Sequence, residues 1–321
     1  MPCRERPPLI PATPHIAIIM SIRPLDLLDL PALYHHRSDA VGLDTARTLT
    51  RGNPLGAVGL LAYMNPARHV YAAIASADGT SVLGGIIHTR GETFAKLLYL
   101  APSSNLEHPE ILDLIESLSA EAGTWGAFHV LAEVDETGEA FIPLRKAGFS
   151  VYAWQRMWDV SGIIEAEKRP DWTRVRSAHL PAVQSLYYQI VPPLLQPVEP
   201  IPKNAIGWMC NEEVKCYVNM THGVYGIVLF PLIHPEATEV GAKLAALISC
   251  LPDRRNRPIY LCVRSYQAWL EPVLEDLGAR AAARQAVMVK HLTRLVKDEH
   301  AVRATQPAGV SVQPSRLEGK K

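Results

Sequence analysis

The chain of 321 residues has no surplus of charge: 32 lysines and arginines face 32 aspartates and glutamates. That balance excludes a general attraction to nucleic acid or to an anionic membrane, so neither is expected as a partner. No apolar run approaches the ~20 residues of a spanning helix; the one at residues 16–20 follows a proline-rich start and reads as the entry to a first strand. Cysteine is sparse and unpatterned. Cys3, Cys210, Cys216, Cys250 and Cys262 show no CxxC spacing, and an odd number cannot all pair, so a reducing, cytoplasmic setting is expected. The 12 histidines include the adjacent His35 and His36 but no HExxH motif and no His/Cys cluster with zinc-ligand spacing, so no metal is expected.

What the chain does have is a repeat. Residues 108–149 lie over residues 238–279 without a gap: Leu114 meets Leu244, Leu131 meets Leu261, Leu144 meets Leu274 and Gly148 meets Gly278. A second run, at a different offset, sets Ile22 and Arg23 over Val175 and Arg176, and Leu27, Leu30, Leu33 and Tyr34 over Leu180, Val183, Leu186 and Tyr187. Two runs in the same order point to a duplicated unit, and the length suffices for two cores. The expected division is an irregular leader at 1–15, a first domain at 16–160, a linker at 161–171, a shorter second domain at 172–292 and a polar tail at 293–321.

Periodicity predicts the elements. The first unit opens with a strand at 16–23 and a helix carrying Leu27, Leu30, Leu33 and Tyr34, then an irregular helical region at 40–64. Strands at 70–77, 81–89 and 93–100 follow in antiparallel order, the first two joined through Asp78-Gly79. Ile111, Ile115, Leu118 and Ala122 stripe one face of a helix, with Gly123 as its stop. A strand at 127–133, parallel to 93–100, a short helix at 139–146 and a strand at 149–160 complete the unit. The second unit repeats this with a hairpin around His222-Gly223, a helix at 240–251, a strand at 258–264, a helix at 269–277 closed by Gly278, and a strand at 285–292 that completes its sheet. The fold class is α/β, a mixed sheet in each unit.

This order resembles the GNAT acyltransferase superfamily. The resemblance is carried by Leu97-Leu98-Tyr99-Leu100-Ala101-Pro102 and by Pro143-Leu144-Arg145-Lys146-Ala147-Gly148-Phe149, with 226–231 and Val273-Leu274-Glu275-Asp276-Leu277-Gly278 in the second copy. It implies two tandem GNAT-like domains, each with parallel strands that splay apart to admit an acyl-coenzyme A, acetyl-CoA or another, as co-substrate. It further implies that the pantetheine arm pairs with the backbone of strand 93–100, through Leu98 and Leu100, and that the pyrophosphate sits on amides at the start of the next helix.

The chain departs from the family pattern in both copies. The glycines of the phosphate loop are replaced around Asn105, His108 and Glu110, leaving Ser103, Asn105 and His108 as the expected phosphate contacts. Residues 232–237, the corresponding stretch of the second copy, contain Pro235, which lacks an amide donor. The family's proton-donating tyrosine is replaced by Leu144 and Leu274, and an asparagine by Thr137 and Gln267. A carboxylate or histidine near the splay would then handle the proton, and Glu133 and His88 are the candidates. Two classes of function follow. One is an acyl-CoA-dependent N-acyltransferase acting on a small-molecule or peptide amine, with the longer first copy binding the donor, either as a monomer with an internal pseudo-dimer or as a homodimer. The other is a catalytically degenerate tandem domain that binds a small molecule or protein partner.

Overall fold

The computed structural model describes residues 21–26, 29–56, 68–77, 80–163, 172–203, 206–210, 214–251 and 254–292. The leader, the Asp78-Gly79 turn, most of the linker and the tail lie outside the described residues.

In the first half, β1 (Ser21–Pro24), α1 (Leu30–His35), β2 (Val41–Gly42) and α2 (Thr45–Arg51) precede β3 (Arg68–Ala77), β4 (Thr80–Thr89) and β5 (Phe94–Ala101). Helix α3 (Glu110–Thr124), β6 (His129–Asp135), α4 (Phe141–Lys146) and β7 (Ser150–Asp159) follow. The stripe on α3 is as expected, with Ile111, Ile115, Leu118 and Ala122 buried. Its stop is not Gly123, which stays helical; the residue that enters the left-handed region is Gly126, at φ 90°. Pro143 falls in the first turn of α4, where its missing amide leaves no helical bond unmade.

The second half runs β8 (Trp172–Arg174), α5 (Leu180–Ile190), β9 (Trp208–Cys210), β10 (Cys216–His222), β11 (Ile227–Ile233), α6 (Val240–Cys250), β12 (Ile259–Arg264), α7 (Leu270–Asp276) and β13 (Arg280–His291). The repeat is visible in three dimensions. α6 begins 130 residues after α3, β12 the same distance after β6, and β13 after β7. Gly148 and Gly278 both close their helices with positive φ, 88° and 77°.

All the described strands join one sheet, in the order β1-β3-β4-β5-β6-β13-β7-β12-β11-β10-β9-β8, with β2 on β5. This order corrects one expectation. The last strand does not complete the second half's sheet; β13 lies between β6 and β7, and β7 pairs with β12. Each half has therefore given its final strand to the other. Packing explains why: Ala286 and Met288 of β13 are buried in the first core with Leu114 and Leu118, whereas Trp158 and Val160, at the end of β7, are buried in the second with Leu244 and Leu261.

Each half also contains a parallel pair that soon diverges. β5 and β6 pair only from Phe94–His129 to Lys96–Leu131, and β11 and β12 only from Ile227–Ile259 to Leu229–Leu261. Beyond those three rungs each pair opens into a wedge.

Burial of Val287, Met288 and Val289 contributes about 5 kcal/mol or more at the usual worth of buried side chains, comparable with the whole stability of a domain. A chain ending at residue 279 is therefore expected to lose cooperative unfolding in urea followed by circular dichroism. A single sharp transition in that truncation would show that the exchanged strand is dispensable.

Candidate functional site

Both wedges open onto one cavity of about 400 Å³ between the halves. Its walls come from α2, β3–β6, β10–β12 and the strap 199–202 that follows α5.

The first wedge is filled by the chain itself. Val41 and Gly42 pair with Leu100 and Tyr99, and the Leu43 amide donates to the Leu98 carbonyl at 2.9 Å. On the other side, the Glu133 amide donates to the Leu43 carbonyl, also at 2.9 Å. Residues 41–43 thus form a strand-like plug between β5 and β6. Gly42 is needed here because a Cβ would lie 2.7 Å from Thr48 Oγ1. The backbone that Leu98 and Leu100 were expected to offer an acyl donor is therefore already paired within the chain, because an unmade main-chain bond in a buried wedge costs about 1–3 kcal/mol.

Glu133 does face the cavity and is buried. Its Oε2 accepts from the Thr45 amide at 2.9 Å, next to the Lys96–Asp44 ion pair at 3.4 Å. Burial works against the Lys96 charge, but Asp44 and Glu133 outweigh it and raise its pKa. His88 is elsewhere. Strand alternation turns its neighbours Ile87 and Thr89 to the cavity and His88 to the opposite face, where its ring clusters with those of His69 and Trp125 and its Nε2 meets the Glu92 carbonyl at 2.9 Å. It does not come together with Glu133.

The expected phosphate contacts of the first half are spent internally. Ser103 Oγ donates to Asp39, Asn105 Nδ2 to the Ser81 carbonyl at 3.4 Å, and His108 Nδ1 lies 3.1 Å from Glu110. The amides of Asn105, Leu106 and His108 are bonded to carbonyls of the same loop.

The second wedge is different. Between β11 and β12, among the described residues, it holds a side chain, the buried Gln267, whose Nε2 donates to the Pro231 carbonyl at 2.9 Å and whose Oε1 accepts from the Ile233 amide at 3.0 Å. The helix beside it, α6, starts at Val240, later than the stretch 232–237 singled out from the sequence. Its second residue is Gly241, and the amides of Val240, Gly241 and Ala242 have no partner among the described residues.

Sequence reasoning missed a charged cluster on the cavity wall. Glu199 accepts from the hydroxyls of Tyr152 and Tyr266, both at 2.8 Å, and pairs with Arg264 Nε at 2.9 Å. Burial first and the Glu199 charge second hold both phenols well above the ordinary tyrosine pKa, so they stay protonated. Beside them, burial pushes the Cys262 thiol up to about 12. Glu199 sits in the proline-rich stretch 197–202, and no periodicity marks it. Leu144 and Leu274, at the positions of the family's proton donor, are fully buried core residues.

A GCN5-related N-acetyltransferase from Sphaerobacter thermophilus superimposes on 85% of this chain and 95% of its own, at 13% identity and a TM-score of 0.53. A protein from Pyrococcus horikoshii, provisionally assigned as an acetyltransferase, covers 88% of this chain and 93% of its own at 10% identity, with a TM-score of 0.50. The chain has the GNAT fold. A tandem GNAT protein from the clavulanic acid biosynthesis pathway superimposes more loosely, at 14% identity over 86% of this chain and 99% of that one, with a TM-score of 0.49. No family model matches the sequence, and no curated protein matches it significantly. Among the described residues no helix is long and apolar enough to cross a membrane.

Within this GNAT fold the Glu199 cluster is a buried, fully compensated charge. Replacing Glu199 with Gln leaves Arg264 buried without its carboxylate, and a loss of about 3–5 kcal/mol is expected. Guanidinium denaturation of Glu199→Gln measures it; a midpoint equal to that of the unaltered chain would mean that Arg264 finds another partner.

Proposed function

We propose that the chain is an acyl-CoA-dependent N-acyltransferase in which the second half takes the acyl donor and the first half serves as its closed scaffold. The observation that carries this reading is the state of the second wedge. The Pro231 carbonyl and the Ile233 amide, groups two residues apart on one strand edge, are held by a primary carboxamide that rotates away about side-chain bonds. The amides of Val240, Gly241 and Ala242, without a partner among the described residues, stand at the adjoining helix start, where the dipole favours an anion. An acyl-CoA, acetyl-CoA or another, would supply the acyl group as a thioester. These groups would hold its pantetheine and pyrophosphate.

The acceptor, a small-molecule or peptide amine, enters the central cavity. There Glu133 offers a carboxylate for the proton that the amine must lose. The strand exchange lets one chain furnish both halves, so a monomer with an internal pseudo-dimer suffices. The described cysteines are free thiols, which fits a reducing, cytoplasmic setting.

Leu144 and Leu274 favour a second reading, a degenerate tandem domain that binds a ligand in the cavity without transferring an acyl group. Thermal denaturation separates the two. Millimolar acetyl-CoA is expected to raise the melting temperature by a few degrees. Gly241→Asp is expected to abolish that rise. A Cβ at this position meets Val273 Cγ1 at 3.4 Å, an ordinary contact, and an acid in the first turn suits the helix but repels a pyrophosphate. No rise in the unaltered chain would remove donor binding and leave the second reading.

A further inference from the structure

The cavity wall contains four acids, and each is already engaged. Asp44 pairs with Lys96, Glu92 with Lys203 at 2.8 Å, Glu133 with the Thr45 amide, and Glu199 with Arg264 and two tyrosines. Two arginines on the same wall have no such partner. Arg51 closes α2, where the helix dipole favours a cation, and Arg68 opens β3; among the described residues neither makes an ion pair or a hydrogen bond. Burial first, then the neighbouring Arg51, lower the pKa of Arg68, and the opposing pull of Asp44 does not make up for them. A guanidinium does not escape such repulsion by losing its proton; it needs an anion. Around the same space the side chains of Thr89, Asn219 and Thr221 also have no hydrogen bond among the described residues. Two forked cations and three neutral donors thus line one cavity, and among the described residues none of its four acids is ion-paired with either cation.

We infer that this part of the cavity is an oxyanion site, and that the molecule which enters carries a carboxylate or phosphate group that docks on Arg51 and Arg68. The site itself follows from the charge arrangement. That its occupant is the acyl acceptor rests on the function proposed above. The acceptor class is then an amine bearing an acid group, and a neutral amine of the same size would lack the anchor. Bidentate pairing of a planar guanidinium with carboxylate or phosphate supplies the orientation that a lone ammonium would not.

Scanning fluorimetry of the full chain with potassium succinate or potassium phosphate, against potassium chloride at matched ionic strength, tests the site without any acyl donor. A rise of a few degrees with at least one oxyanion is expected, and the stronger of the two identifies the acid group preferred. The rise should vanish in Arg51→Gln/Arg68→Gln, whose own melting temperature without oxyanion should be equal or higher because a repulsion has been removed. A purely structural role for the two arginines would lower it instead. Should that double variant fail to fold, Arg68→Lys keeps the charge but not the fork, and its half-maximal succinate or phosphate concentration should rise several-fold. Indifference of the unaltered chain to both oxyanions, or a response that survives in the variants, overturns the inference. Failure of the acetyl-CoA shift with an intact oxyanion response would sink the acyltransferase reading alone.

Discussion

The antiparallel pairing of β7 with β13 is the constraint on which the rest of the molecule depends. Without it each half would end in an open strand edge, with unpaired amides and carbonyls facing water. With it, the last strand of each half becomes the neighbour of the other half's parallel strand, and two small sheets become one. The orientation of the wedges follows. β6 and β12 are separated only by the exchanged pair, so the openings beside them face a common space, and residues 240 positions apart, such as Thr45 and Gln285, come within hydrogen-bond reach.

Both wedges pose the same physical problem, and the two halves solve it differently. Where parallel strands diverge, their inner edges lose ladder partners while remaining buried, and buried main-chain groups require partners. In the first half the partner is main chain: residues 41–43 bond to β5 and β6, and α2 follows at once, with Asp44 capping it. Removing that plug would mean unmaking a strand and displacing a helix. In the second half the partner is one side-chain carboxamide, that of Gln267. Duplication allows this difference, because a copy whose wedge is filled by its own main chain still supplies half of a cavity wall.

The sequence disclosed the parts that repeat and hid those that do not. The helices that start at Glu110 and Val240, the strands expected from 127 and 258 and found from His129 and Ile259, and the positive-φ glycines Gly148 and Gly278 are local features, written in apolar spacing and turn chemistry, and the two copies reinforce one another. The strand exchange is not local. β7 and β13 both read as apolar strands, and nothing in their composition says which of two equivalent edges each will join. The plug escaped notice for another reason: β2 has two residues, too few for a period to show. Gln267 stood out as a substitution at a family position, but its partners lie 34 and 36 residues away, and only the fold brings them to it.

A net charge of zero conceals how unevenly the interior is charged. At one side of the cavity Glu199 is enclosed by two phenols and a guanidinium, an arrangement that holds a buried carboxylate because both of its oxygens accept hydrogen bonds and a cation pairs with it. On the same cavity wall Arg51 and Arg68 have no ion-paired carboxylate among the described residues. The two arrangements obey one rule, that a desolvated charge must be met, and differ in what meets it. Glu199 is met by residues of both halves and so helps join them. Among the described residues the arginines have no ion pair, only the more distant pull of Asp44 on Arg68, and the same rule assigns their counter-charge to a molecule from outside.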